Sequence, residues 1–160
     1  DLKSKNQFQF PAIDRISINV GVGSLRDNKQ KEEVYKLLLG LTAQKPRRVK
    51  SKRSISEFKV RAGDIVGFNV TLRGQKVYDF LIQLIYLGLP RGRDFKGVKL
   101  KSFDKSYKSY SLGIPSTAIF PLIDFDASIQ FGMQLNIIFK SATQENKLLL
   151  EKLNFPFKKK

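Results

Sequence analysis

At 160 residues, 41% of them hydrophobic, the chain is long enough to bury a core and is not a disordered basic tail. Lys and Arg number 30 against 14 Asp and Glu, a net charge of +16, which predicts attraction to nucleic acid or an anionic membrane. With no Cys and no His, the usual zinc sites, thiol nucleophiles and imidazole bases are excluded, and no paired acids stand out, so an enzyme is a poor reading.

No run of eighteen apolar residues occurs, so no segment reads as a membrane-spanning helix and no membrane partner is expected. Residues 1–12 read as an N-terminal extension, 13–157 as one domain and 158–160 as a basic tail. In the first predicted strand, Ile13–Val20, Ile16, Ile18 and Val20 alternate with Arg15, Ser17 and Asn19. The Gly21-Val22-Gly23 that follows lacks the third glycine and the lysine of a phosphate loop and reads as a turn. A helix is predicted from about Lys29 to Leu41, with Asp27 and Gln30 at capping-box spacing. Val34, Leu37, Leu38 and Leu41 give it a core-facing stripe.

The stretch from Gln44 to Arg73 organises the chain. Its first half carries Lys45, Arg47, Arg48, Lys50, Lys52, Arg53, Lys59 and Arg61 against one acid, Glu57. A short strand is predicted near Arg47–Ser51 and an extended loop over Ser54–Gly63. The second half is a strand in which Val66, Phe68, Val70 and Leu72 alternate with Gly67, Asn69 and Thr71. A helix over Gln75–Leu89 follows, with Val77, Leu81, Leu84 and Gly88 on one face, Phe80 and Leu87 beside it, and Pro90 as its stop. Beyond it lie the basic glycine-rich loop Arg91–Gly97 and the polar loop Ser102–Lys108. Strands are predicted around Tyr110–Ile114 and Met133–Phe139. The last helix runs to about Leu153, with Ser141 and Gln144 at capping-box spacing and Leu149 and Leu153 as its core pair.

Alternating strands interspersed with helices predict an α+β fold: a mostly antiparallel sheet, helices on one face and the other face open. The predicted open face carries Arg15, Ser17, Asn19, Gly67, Asn69 and Thr71 and no aromatic ring. That argues for contact with folded RNA and against an aromatic stacking platform.

Several segments, in order, resemble the large-subunit ribosomal protein family that binds 5S rRNA, family five in the universal numbering. They are Ile16–Gly23, Ala43–Pro46, Phe58–Gly63, Val70–Gly74, Leu89–Gly97, Ser102–Asp104, Tyr110–Gly113, Ile119–Asp124 and Phe155–Phe157. The resemblance implies a two-layer fold of ferredoxin or RNA-recognition type. It also implies a structural place in the central protuberance, against 5S rRNA (or its replacement), large-subunit rRNA and neighbouring ribosomal proteins. Asn19, Gln44 and Thr71 match family positions that hydrogen-bond 5S rRNA; Lys45, Arg47, Lys50, Lys52, Asn69 and Arg73 are the flanking RNA-binding candidates. The loop Ser56–Asp64, with Phe58, Lys59, Arg61, Ala62 and Gly63, matches the family loop that reaches the peptidyl-site tRNA. Arg91, Arg93, Asp94, Phe95 and Lys96, with Ser109 to Asp124, resemble regions near the small-subunit head protein of family thirteen. Departures from the family pattern occur at Lys105–Lys108 and Pro115-Ser116, and little precedes the first strand that could supply the N-terminal helix of bacterial members. No cofactor is expected. The Lys- and Phe-rich composition favours a mitochondrial matrix ribosome over a bacterial or plastid one. The alternative is a non-ribosomal basic RNA binder or RNA chaperone.

Overall fold

The computed structural model describes residues 11–25, 27–92, 97–120 and 131–158. In chain order it contains β1 (Ile13–Gly21), α1 (Asn28–Thr42), β2 (Arg47–Lys50), β3 (Ile65–Arg73), α2 (Gln75–Ile82), α3 (Leu89–Arg91), β4 (Ser109–Ile114), β5 (Met133–Phe139) and α4 (Glu145–Lys152). The strands form one sheet in the order β2-β3-β1-β5-β4, and every neighbouring pair is antiparallel. The α+β two-layer reading thus holds. The strand first in sequence is the central one.

Period-two alternation gives this sheet two chemically different faces. Ile16, Ile18 and Val20 of β1 are buried, as are Phe68, Val70 and Leu72 of β3 and Met133, Leu135, Ile137 and Phe139 of β5. Helix α1 buries Val34, Leu38 and Leu41 in the same core, and α2 buries Val77, Phe80 and Leu81. Helices thus cover one side of the sheet, and each fully buried Ile or Leu stabilises the fold by roughly 1.5–3 kcal/mol.

Several local expectations are corrected. Asp27 stands at the N-cap of α1 but makes no side-chain capping bond. The predicted second helix passes through a π-helical turn at Gln83–Gly88, where the Leu89 amide donates to the Leu84 carbonyl five residues back. The wider turn shifts the phase of the helix, so Ile85 is buried and Leu87 is exposed. Pro90 lies inside α3, and the helical run ends one residue later at Arg91.

In α4 the residue in the core is Leu150, with Leu149 and Leu153 only partly buried against it. Neither Ser141 nor Gln144 caps it; Gln144 is the N-cap residue and makes no side-chain bond. Instead the buried Asn146 donates from Nδ2 to the Ser141 carbonyl at 2.7 Å and the Tyr107 carbonyl at 2.8 Å. That anchors α4 to the turn before β4. The Ser102–Lys108 loop is not merely polar. Phe103 and Tyr107 pack ring to ring, and Phe103 continues into Tyr110, Phe139 and Phe157.

Tyr110 is fully buried, and its hydroxyl donates to the Lys99 carbonyl at 3.0 Å. Burial, opposed in part by a hydrogen bond with Ser102, pushes its pKa up from 10.0 to about 12. The folded chain therefore favours the neutral phenol. This support for folding is complete below pH 10 and is lost as pH rises from 10 through 12. Denaturant unfolding at several alkaline pH values should show a steeper loss for the wild type than for Tyr110→Phe; equal slopes would contradict the assignment. In the same assay at neutral pH, Leu150→Ala should cost about 2–5 kcal/mol and Leu149→Ala clearly less.

Candidate nucleic-acid interface

The face of the sheet away from the helices is built from the alternate residues of each strand, and register brings them into rows. Arg47 of β2 pairs with Asn69, Asn69 with Asn19, Asn19 with Gln134 and Gln134 with Gly113. One step along, Thr71 pairs with Ser17, Ser17 with Asn136 and Asn136 with Ser111. A further step gives Arg73, Arg15, Ile138 and Ser109. The five strands lie about 4.8 Å apart, so the first row crosses roughly 19 Å of surface. Asn69 Nδ2 donates to Asn19 Oδ1 and, at 3.4 Å, to Ser17 Oγ. Asn19, Asn69 and Thr71, chosen from separate stretches of sequence, thus form one patch. Sequence reasoning placed Ser17 on the open face but left Ser111, Gln134 and Asn136 out of the site. They carry the same period-two signal, but only the pairing of β1 with β5 and β5 with β4 aligns them with it.

Gln44 sits at the rim of this patch in a specific role. Its Nε2 donates to the Thr71 backbone carbonyl at 2.9 Å, supplying a partner to β3 just before β2 begins. Ala43 ends α1 in the left-handed region, and Lys76 Nζ donates to its carbonyl at 2.8 Å. These contacts fix the chain where it turns from helix into edge strand.

The cations divide between the two sides. Pairing with β3 puts Arg47 and Val49 on the open side of β2 and Arg48 on the helix side; the register shifts after Val49, so Lys50 pairs with Ile65 and the simple alternation stops there. Arg48 meets Glu32 at 2.8 Å and lies over the Tyr35 ring at 5.1 Å, so it is held by α1. Arg15 pairs with Asp14 at 2.9 Å. Lys45, Arg47, Lys50, Lys52 and Arg73 are outside these pairs and form no ion pair among the described residues. They are exposed.

The loop between β2 and β3 is a compact hairpin-like turn and not an extended segment. Ile55 and Val60 form an antiparallel bridge. The Ala62 amide donates to Ser54 Oγ at 3.0 Å and the Arg61 amide to Asp64 Oδ2 at 2.8 Å. Gly63 takes a φ of 93°, a left-handed conformation that suits glycine. Phe58 stands at the tip, 70% exposed, between Glu57 and Lys59. Of the bridge-loop candidates, Arg91 closes α3; Arg93, Asp94, Phe95 and Lys96 lie outside the described residues.

The described residues contain no group of three or more His, Cys, Asp or Glu side chains placed to hold a metal. A face of amides and hydroxyls flanked by unpaired cations can hydrogen-bond a sugar–phosphate backbone and neutralise it.

A family model described as ribosomal protein L5 matches residues 6–61, and the model for the C-terminus of the same ribosomal protein family matches residues 65–157. The two matches part within the β2–β3 loop, although strands from both sides share one sheet. Large ribosomal subunit protein uL5 of Thermoanaerobacter sp. is 43% identical over 97% of this chain and 88% of its own length. The protein of the same name in Mycoplasma mycoides subsp. mycoides is 41% identical over 99% and 89%. Large ribosomal subunit protein uL5c of Cyanidium caldarium is 44% identical over 96% and 86%. Model matches that together take in nearly all of the chain, and relatives of this identity aligned almost end to end, show that the chain belongs to the ribosomal protein L5 family, whose members are structural parts of the ribosome and not enzymes.

Proposed function

We propose that this protein is a structural constituent of the large ribosomal subunit that docks 5S rRNA on its open sheet face. The observation that carries the reading is the register of β1 and β3, which sets Asn19 beside Asn69 and Ser17 beside Thr71 in one uncharged, hydrogen-bonding patch. Two of these residues, with Gln44 at the rim, are the positions whose sequence context resembles the family's 5S rRNA contacts. Arg47 and Arg73 flank the patch and supply phosphate contacts; the amides and hydroxyls set position. Lys45 and Lys52 extend the cationic rim, and Lys50 meets RNA that wraps the edge strand.

The finer neighbours follow from the loops. The Ser56–Asp64 turn, with exposed Phe58 and the cations Lys59 and Arg61, reaches the peptidyl-site tRNA in this reading. In the same reading the regions around Arg91–Gly97 and Ser109–Asp124 approach the small-subunit head protein of family thirteen. Large-subunit rRNA and other central-protuberance proteins complete the surroundings. A mitochondrial setting is supported by the Lys- and Phe-rich composition alone.

Thr71 gives the sharpest test. Its hydroxyl has no partner among the described residues, and its alternation from Val70 and Leu72 turns the side chain to the open face. Thr71→Val keeps shape and removes one hydrogen bond, which should weaken 5S rRNA binding by on the order of 1 kcal/mol, about fivefold in Kd, with an unchanged melting temperature. Thr71→Arg should bind more weakly still despite its added charge. Unchanged affinity for Thr71→Val with tighter binding for Thr71→Arg would leave only a nonspecific electrostatic surface.

A further inference from the structure

We propose that a depression at one end of the open sheet face is a subsite for a single unstacked RNA base. The inference rests on the docking of RNA to this face argued above. The depression measures about 500 Å³ and is lined by Asn19, Gly21, Val49, Gly67, Gly132 and Gln134, among others. It exists because side chains are missing where three strands meet. Gly67 pairs with Gly21, and the β1–β5 register carried two residues past Asn19–Gln134 brings Gly132 opposite Gly21. At Gly67 the absence of a side chain is enforced by close approach: a Cβ there would stand 2.9 Å from the Val20 carbonyl oxygen. Val49, 41% exposed, closes the β2 side.

Toward the centre of the sheet the wall is Asn19 and Gln134, with Asn69 paired to Asn19 just outside the lining. Asn69 donates to Asn19 Oδ1, and Gln134 Nε2 donates to Asn136 Oδ1 at 3.4 Å. The Asn19 amide nitrogen and the Asn69 and Gln134 carbonyl oxygens then have no partner among the described residues. Donor and acceptors side by side match the mixed edge of a nucleobase, whereas a phosphate presents acceptors only. Exposed peptide planes at Gly21 and Gly132 offer a flat surface for the base, and the cationic β2–β3 loop leaves from the same end of the sheet to hold the flanking phosphates. No aromatic side chain projects from β1, β3 or β5 on this face, so a run of stacked bases lacks a platform. One inserted base does not need one.

Gly21→Leu tests this directly. A Cβ at Gly21 meets no atom within 4 Å, and its φ lies outside the left-handed region, so the larger side chain fills the hollow without strain. Gly40→Leu adds the same bulk to open space on helix α1, away from the open face. Each variant is titrated against a 5S rRNA transcript from Mycoplasma mycoides. Dimethyl sulfate and carbodiimide report base edges, and hydroxyl radicals report the backbone. The wild type should protect the edge of one unpaired base. Gly21→Leu should lose that protection and bind at least tenfold more weakly, while it keeps the melting temperature and the backbone footprint of the wild type; Gly40→Leu should keep the base protected. Unchanged affinity and base protection in Gly21→Leu, or equal losses in both variants, would overturn the subsite and leave RNA docking intact. A wild type that protects neither bases nor backbone would fail the docking reading itself.

Discussion

The structure depends on β1 being amphipathic at the centre of the sheet. Its apolar residues Ile16, Ile18 and Val20 are buried against the helices, and its polar residues Ser17 and Asn19 pair with β3 on one side and β5 on the other. A slip of one residue would exchange the two faces and put Ser17 and Asn19 into the core, where an unpaired buried amide or hydroxyl costs on the order of 1–3 kcal/mol. The hydrophobic pattern that holds the fold therefore also fixes which polar groups stand together on the surface. Core and candidate interface are two sides of one constraint.

Charge adds a second layer. A net charge of +16 attracts any polyanion, but the distribution is what gives the face its character. Arg48 and Arg15 are engaged by Glu32, Tyr35 and Asp14, while Arg47 and Arg73 are not. The centre of the open face is uncharged and the rim is cationic. Such a face suits phosphates at the rim and groups that need directional hydrogen bonds at the centre. The short cationic edge strand β2 also discourages pairing with a further strand.

Much of this was legible in the sequence because it rests on local periodicity. The order of strands and helices, the two faces of β1 and β3, and the core stripe of α1 all follow from spacing. The strand order was not legible, since β1 pairs with β5 across more than a hundred residues, and no local signal specifies that. For the same reason Gln134 and Asn136 were missed as members of the patch. Leu87 was misplaced because a π-turn interrupts the 3.6-residue period at Gln83–Gly88. The core of α4 was misread because Asn146, polar yet fully buried, takes a position that hydrophobicity alone assigns to solvent. Gln44 was singled out from its sequence context, but its bond to the Thr71 carbonyl depends on tertiary contact.

The central claim is that RNA lies on the open face and not on the helices. Since the chain has no cysteine, one can be introduced as a unique attachment point. An iron chelate tethered at Ser111→Cys, on the open face of β4, should cleave bound 5S rRNA at discrete nucleotides on hydroxyl-radical generation. The same chelate at Lys36→Cys, exposed on α1, should leave those nucleotides intact. Cleavage of 5S rRNA from position 36 with none from position 111 would contradict the account.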